Sequence, residues 1–283
     1  MHLLVSMMWY IFSIIEHEMS LIYLNAPFQT TYSILTDCKT FISSLKLKYG
    51  IYLSDVKNEG DISITVKETL SSYEVTALER TFTVIDPLYE IDRIIFENTK
   101  FDQEIFALHG AAVEWDGKAY VFLASTSSGK TTLTSYLCAN GFSYITDDCV
   151  LLEREHLRIH PYTAPVHLRK DGFDVLKKYK VEPVEYQILH EFPAERYVYT
   201  PKNCVLDQLP IGCIFFIERT ENENRLSEMS VNNRMSELMK SPITTYKVTT
   251  DYLRFISKLA KTNCKKLYYY DMAYVTEIIK NGR

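Results

Sequence analysis

The chain has 283 residues, enough for one large core or for a small domain beside a medium one. Apolar residues make up 47% and charged residues 24%, an ordinary balance for a globular protein, so a disordered or fibrous chain is excluded. The net charge of −5 and isoelectric point of about 5.9 exclude a broad basic footprint, and no nucleic-acid partner is expected.

The first apolar run, residues 3–15, is too short to cross a bilayer as a free helix, and Glu16-His17-Glu18 follows it. It has no basic leader and no small-residue cleavage site. A packed helix or strand without a membrane partner is the expectation, and Met19 offers an alternative start. Residues 32–49 carry a loosely helical apolar pattern. The alternating Ile62-Ser63-Ile64-Thr65-Val66 reads as a strand, as do Tyr73-Glu74-Val75 and Thr81-Phe82-Thr83-Val84-Ile85. Lys57-Asn58-Glu59-Gly60-Asp61 reads as a turn. Residues 1–90 therefore form an accessory α/β region, suited to core completion, dimerisation or substrate-peptide binding. Asp86-Pro87 opens a helix, and the rest of the chain, 91–283, forms the second domain.

In that domain, residues 105–115 and 118–123 are β-like runs joined by Asp116-Gly117, a strong two-residue hairpin signal. Counting back from a Trp115–Lys118 pair places His109 opposite Ala124. Next come Ala124-Ser125-Thr126-Ser127-Ser128-Gly129-Lys130-Thr131-Thr132 and then the helical run 133–137. Strand, small polar loop ending in Gly-Lys-Thr, then helix is the context a phosphate-binding loop requires. The first amides of a helix lack intrahelical acceptors, and a loop of small residues lets them converge on an anion. Lys130 would supply charge to the outer phosphates, and the Thr131 hydroxyl would sit on Mg2+. Ala124 replaces the first glycine of the usual pattern, which requires a backbone there without positive φ.

Gly141 is placed to stop the helix, and the apolar run 142–146 ends in Asp147-Asp148. A strand–helix–strand unit of this length joins parallel strands, so both carboxylates arrive at the edge that bears the loop. One can hold a metal while the other takes a proton from an attacking hydroxyl. Further on, Arg169 is a candidate to stabilise charge on a transferring phosphoryl group, and Arg196 is a second. A helix is expected over 173–180, a buried central strand over 209–217, helices over 230–240 and 251–260, a closing strand over 267–270 and a terminal helix over 273–280. The six cysteines have no C-x-x-C spacing and suit a reducing cytoplasm rather than a zinc site or disulfide framework.

Leu108-His109-Gly110, the hairpin, Ser128-Gly129-Lys130-Thr131, Gly141 and Asp147-Asp148 together resemble the catalytic domain of HPr kinase/phosphorylase. They are still more similar to the HPr-kinase-like proteins that tailor lasso-peptide precursors. The resemblance spans about residues 100–218. It implies a P-loop kinase fold with a mixed sheet, related to phosphoenolpyruvate carboxykinases, and transfer of the γ-phosphate of ATP to a serine hydroxyl.

Carried onto this chain, the resemblance implies that Ser125, Thr126, Ser127, Ser128, Gly129, Lys130, Thr131 and Thr132 cradle the nucleotide. Thr131 and Asp148 would hold Mg2+, Asp147 would be the base, and His109 would tune that aspartate or contact the phosphate. After Lys130-Thr131 the family carries an acidic residue where this chain has Thr132, and its Glu-[Ile/Val]-Arg-Gly signature is replaced by Pro165-Val166-His167-Leu168-Arg169. These departures point away from HPr and from reverse phosphorylase activity, towards a tailoring kinase for a peptide or small protein, monomeric or as a homo-oligomer. Two rival readings are a nucleotide-binding module without chemistry and a kinase of free serine.

Overall fold

Two residues with positive φ, Asp116 at 51° and Gly117 at 71°, turn the chain between its two best-defined strands. That conformation matches the twist of a two-residue hairpin, and Trp115 faces Lys118 across it. The computed structural model describes residues 19–25, 31–54, 61–98, 105–183, 185–190, 195–243 and 248–282. The apolar run 3–15 and most of the turn 57–61 lie outside the described residues. The protein is mixed α/β and divides into two compact units, Met1–Asn98 and Thr99–Arg283.

In the first unit the elements are β1 (Ser20–Asn25), β2 (Thr31–Thr36), α1 (Lys39–Tyr49), β3 (Leu53–Ser54), β4 (Ile62–Glu68), β5 (Tyr73–Ala77), β6 (Arg80–Val84) and α2 (Pro87–Asn98). Six strands form one sheet in the order β3-β1-β2-β4-β5-β6. The apolar pattern read as a helix over 32–49 is a strand followed by a helix. In β2 burial alternates strictly, putting Tyr32 and Ile34 in the core, and a period of two belongs to a strand. The helix begins only after Cys38, which caps it. Asp86 accepts the amides of Leu88 and Tyr89 and so starts α2 beside Pro87. The helix belongs wholly to the first unit, which ends at Asn98.

The second unit contains β7 (Ile105–Trp115), β8 (Lys118–Leu123), α3 (Lys130–Ala139), β9 (Ser143–Thr146), β10 (Cys149–Glu153), β11 (Arg158–His160), β12 (Val166–Arg169), α4 (Lys170–Lys178), β13 (Gln187–His190), β14 (Glu195–Tyr199), β15 (Leu209–Arg219), β16 (Arg225–Glu228), α5 (Val231–Met239), α6 (Thr250–Ala260), β17 (Cys264–Tyr269) and α7 (Met272–Lys280). Its main sheet runs β11-β10-β7-β8-β15-β17-β16, with β9 beside β10 on β7. β8, β15 and β17 are mutually parallel, while β7 and β16 run antiparallel to their neighbours. The apolar run 209–217 lies between β8 and β17, in the interior of the sheet, and its residues Cys213–Ile217 are buried.

The two faces of this sheet carry separate cores. On one, Phe122, Phe215, Ile217 and Tyr269 pack against Leu133 and Tyr136 of α3, Phe173 of α4 and Val275 of α7. On the other, Phe106, Val121, Ile214 and Phe216 pack against Leu238 of α5 and Phe255 and Ile256 of α6. A smaller sheet, β12-β14-β13, accompanies the first face. Its helix α4 starts at Lys170, three residues before the expected start, because Arg169 ends a strand with no loop between them.

Candidate functional site

The loop after β8 is shaped by two left-handed residues, Ser127 (φ 64°) and Gly129 (φ 91°), and Ala124 is not among the positive-φ positions. Ala124 thus occupies a site where a Cβ costs nothing. Gly129 is the N-cap of α3 and offers no side chain to the first-turn amides, which leaves them open to an anion. Lys130 is 6% exposed, and its ammonium donates to the carbonyls of Ala124 at 2.9 Å and Ser125 at 3.0 Å. Burial pushes its pKa down, and Asp148 and Asp147 oppose that change.

Across the sheet, β7 carries His109 to the same edge. The ladder with β8 keeps the counted register from Trp115–Lys118 and ends at Gly110–Leu123, one pair short of His109 and Ala124. Two facts explain the difference. At Ala124 the chain leaves the sheet to form the loop, and the segment after α5 takes the vacated edge. Ser241 accepts the His109 amide at 2.6 Å and Ile243 donates to Ala107 at 3.2 Å. On the opposite edge His109 pairs with Cys149. Gly110 permits this crowding, since a Cβ there would lie 2.5 Å from Leu123 Cδ2 and 2.8 Å from the Phe122 carbonyl.

Asp147 and Asp148 follow β9, and the Asp148 carbonyl accepts the Gly110 amide at 3.3 Å. That bond ties the acidic pair to the His109 strand. Asp147 is 5% exposed, whereas Asp148 is exposed. Burial, and next the Asp148 charge, push the Asp147 carboxyl well above the usual range; the Thr131 hydroxyl and Lys130 act the other way. His109 is held below its usual value by burial and Lys130, against the pull of Asp148, so it is neutral at pH 7. Behind Asp147 stand the phenols of Tyr144 and Tyr199, both pushed up by burial and by its charge.

Among the described residues Asp147 Oδ1, His109 Nε2 and Ser128 Oγ, three buried polar atoms around this edge, have no hydrogen-bond partner, and neither has Thr134 Oγ1 within α3. Buried polar atoms are nearly always paired in native proteins, so three orphans around one loop mark the place of a polar ligand. Arg169 reaches the loop from the end of β12, and its Nη1 donates to Ser127 Oγ at 3.0 Å. Arg196 pairs with Arg169 in the β12–β14 register, one strand further away. Thr132 behaves differently from its neighbours. A Cβ on Gly172 would come within 2.6 Å of its Oγ1, so its hydroxyl packs against α4. Ser125, Thr126 and Ser127 are exposed on the loop, and Thr131 is half-buried beside Asp147.

Sequence reasoning did not find the Ser241–Ile243 strap, the tyrosines behind Asp147, or Tyr269, whose hydroxyl lies 3.4 Å from where a Cβ of Gly129 would stand. The strap, Tyr199 and Tyr269 arrive from distant strands or loops and carry no local signal, whereas Tyr144 stands three residues before Asp147 and was missed because nothing local marks its phenol as facing the acid. Oxygen donors suited to magnesium, the Thr131 hydroxyl and the Asp147 and Asp148 carboxylates, gather at the loop. Glu153, Glu155 and His156 bring ligand atoms within 4.8 Å of one another on the turn after β10. There Glu153 already accepts the amides of Glu155 and His156, which makes the cluster a turn device away from the loop. All six cysteines are free. Among the described residues no helix is long and apolar enough to cross a membrane.

No protein-family model matches the chain, and no curated protein matches it.

Proposed function

We propose that the protein is an ATP-dependent kinase with a P-loop core, transferring the γ-phosphate to a serine-type hydroxyl of a peptide or small protein. The observation that carries this reading is the convergence of orphaned Asp147 Oδ1, His109 Nε2 and Ser128 Oγ on a Gly-Lys-Thr loop whose helix amides are uncapped. A binding module needs the loop and its lysine. It does not need a buried carboxylate with an unpartnered oxygen beside that lysine.

In this reading the loop amides and Lys130 hold the phosphates. Lys130 exchanges the carbonyls of Ala124 and Ser125 for phosphate oxygens, a stronger, charge-assisted pairing. Thr131 and Asp148 would hold Mg2+, with Asp147 close by; bound there, the ion would neutralise phosphate charge. Asp147 Oδ1 accepts the proton of the acceptor hydroxyl, and the Lys130 ammonium beside it favours the ionised form needed for that step. Neutral His109 presents Nε2 to the acceptor or the phosphate without adding charge. Arg169, already on Ser127, stabilises the charge of the phosphoryl group as it moves.

The test is incubation with MgATP and a panel of serine-containing peptides, with free serine as a separate arm, followed by ADP release and the mass of the acceptor. ADP and a phosphorylated peptide are expected, and both are lost in Lys130→Ala, in Asp147→Asn and on addition of EDTA. Tight ATP binding without turnover on any acceptor would leave only the binding-module reading. Turnover on free serine alone would make it a small-molecule kinase.

A further inference from the structure

The loop has a second flank, and it carries a cation. β8, β15 and β17 run parallel, so their carboxyl ends lie together at the edge from which the loop springs, although β11 also pairs with the start of β15. β15 ends in Arg219, which is in register with Tyr269 at the end of β17. The Thr220 amide donates to the Tyr269 carbonyl at 2.9 Å and fixes the two ends together. Side chains alternate along a strand, so Arg219 stands on the face of Phe215 and Ile217, which pack with Leu133 and Tyr136 of α3. Tyr269 lies on that face too, and its hydroxyl abuts Gly129, the N-cap of α3.

Arg219 is exposed and has neither hydrogen bond nor ion pair among the described residues. Its charge acts on Tyr269, where burial lifts the phenol to about 12 and Arg219 opposes the rise. Strand order then assigns the direction of a ligand. His109 and Asp147 approach the loop from the β7 and β9 side and Arg219 comes from the β15 side, while Arg169 reaches Ser127 from the separate β12 sheet. A triphosphate lying across the loop with its transferable end at Asp147 has its nucleoside end towards β15, a strand spacing of about 4.8 Å away.

We infer that Arg219 binds the non-transferred phosphates of a nucleoside di- or triphosphate, holding the end of the donor opposite to the one Arg169 serves. The inference rests on the kinase reading and deepens it. A guanidinium contact present equally before and after transfer adds uniform binding, so it lowers KM without raising kcat. Arg169, by contrast, serves the phosphate that leaves.

Calorimetric titration of MgADP and MgATP into wild type, Arg219→Met, Arg219→Lys, Arg169→Met and Lys130→Ala tests this. Arg219→Met is expected to weaken ADP and ATP by the same factor, about tenfold or more, with kcat at saturating ATP unchanged. Arg219→Lys recovers part of the loss, and Arg169→Met weakens ATP more than ADP. Since Arg219 makes no hydrogen bond or ion pair among the described residues and acts only through its charge on Tyr269 and Tyr179, the variant's melting temperature should stay close to that of wild type. Unchanged ADP affinity in Arg219→Met, with affinity lost in Lys130→Ala, overturns the Arg219 assignment and leaves the nucleotide site standing. A fall in kcat without loss of ADP affinity also overturns it. Wild-type protein that binds neither nucleotide removes both readings.

Discussion

Asp147 and Asp148 are adjacent in the chain yet lie on opposite sides of the protein surface: Asp147 is 5% exposed and Asp148 stands in solvent. The buried one has an unpartnered oxygen, the Thr131 hydroxyl beside it and the Tyr199 phenol behind it, while Lys130 and Tyr144 feel both carboxylates. The two carboxylates therefore have separate work. Asp147→Asn should lower kcat by about 10²–10⁴-fold, the usual contribution of a general base, while leaving ATP affinity within a few-fold of wild type. Single-turnover kinetics with a phosphorylated peptide as readout would measure it, and wild-type turnover in Asp147→Asn would remove its assignment as base.

The same burial makes a stability prediction with a definite sign. A carboxyl whose folded pKa is raised binds its proton more tightly in the folded state. Its contribution to stability is full below the unfolded value of about 3.9 and is lost as pH rises through the folded value. Ligand-free protein should thus lose stability from Asp147 as pH rises above about 4, and Asp147→Asn should remove that slope. Near neutral pH the variant should be at least as stable as wild type, because the neutral amide puts no charge in the buried site. Thermal melts from pH 4 to 8 would check it; a steeper slope in Asp147→Asn would contradict it. Turnover should rise with pH over the same range, because the base works when ionised.

Lys130 has structural and binding consequences that can be separated. Its ammonium satisfies two loop carbonyls, so Lys130→Ala should lower the melting temperature of the ligand-free protein. It should also cost about ten- to a hundred-fold in nucleotide affinity. Thermal shift with and without MgATP distinguishes the two, and a full MgATP shift in the variant would exclude a phosphate role.

Arg169 and Ser127 meet at 3.0 Å, and the contact orients the guanidinium over the loop. Arg169→Lys keeps the charge but not the planar fork, and should lower kcat by about tenfold; Arg169→Met should lower it further. Ser127→Ala, which removes only the anchor, should have the smallest effect of the three. Parallel kcat measurements would reverse the assignment if Ser127→Ala proved the most damaging.

Gly110 is the residue on which the packing of the His109 strand against β8 depends. Gly110→Ala forces a methyl to within 2.5 Å of Leu123 and 2.8 Å of the Phe122 carbonyl, and backbone does not yield easily. A loss of about 1–3 kcal/mol is expected from overpacking, measurable by urea denaturation. A neutral result would mean that the strand can move aside.

The local signals were strong where chemistry and geometry are set within a few residues. Asp116-Gly117 demands positive φ at two consecutive positions, Gly129 ends a loop of small residues ahead of a helix, and Ser230 caps α5. Each can be read because a turn or cap depends on its own neighbours. Residues 32–49 misled because an apolar strand and the helix after it merge into one blurred period when no glycine or proline separates them.

By itself, then, the amino-acid order determined the strand–loop–helix unit and the delivery of two acids after the next strand. It could not say which acid is enclosed, since enclosure of Asp147 comes from Tyr199 on β14 and Tyr144 on β9. Nor could it foresee Ser241 taking the edge beside His109, or Arg219 standing beside the loop's helix, because pairing between segments far apart in the chain leaves no trace in local pattern. Those placements were decided by the folded sheet, where hydrogen-bond edges must be filled and apolar faces covered regardless of distance along the chain.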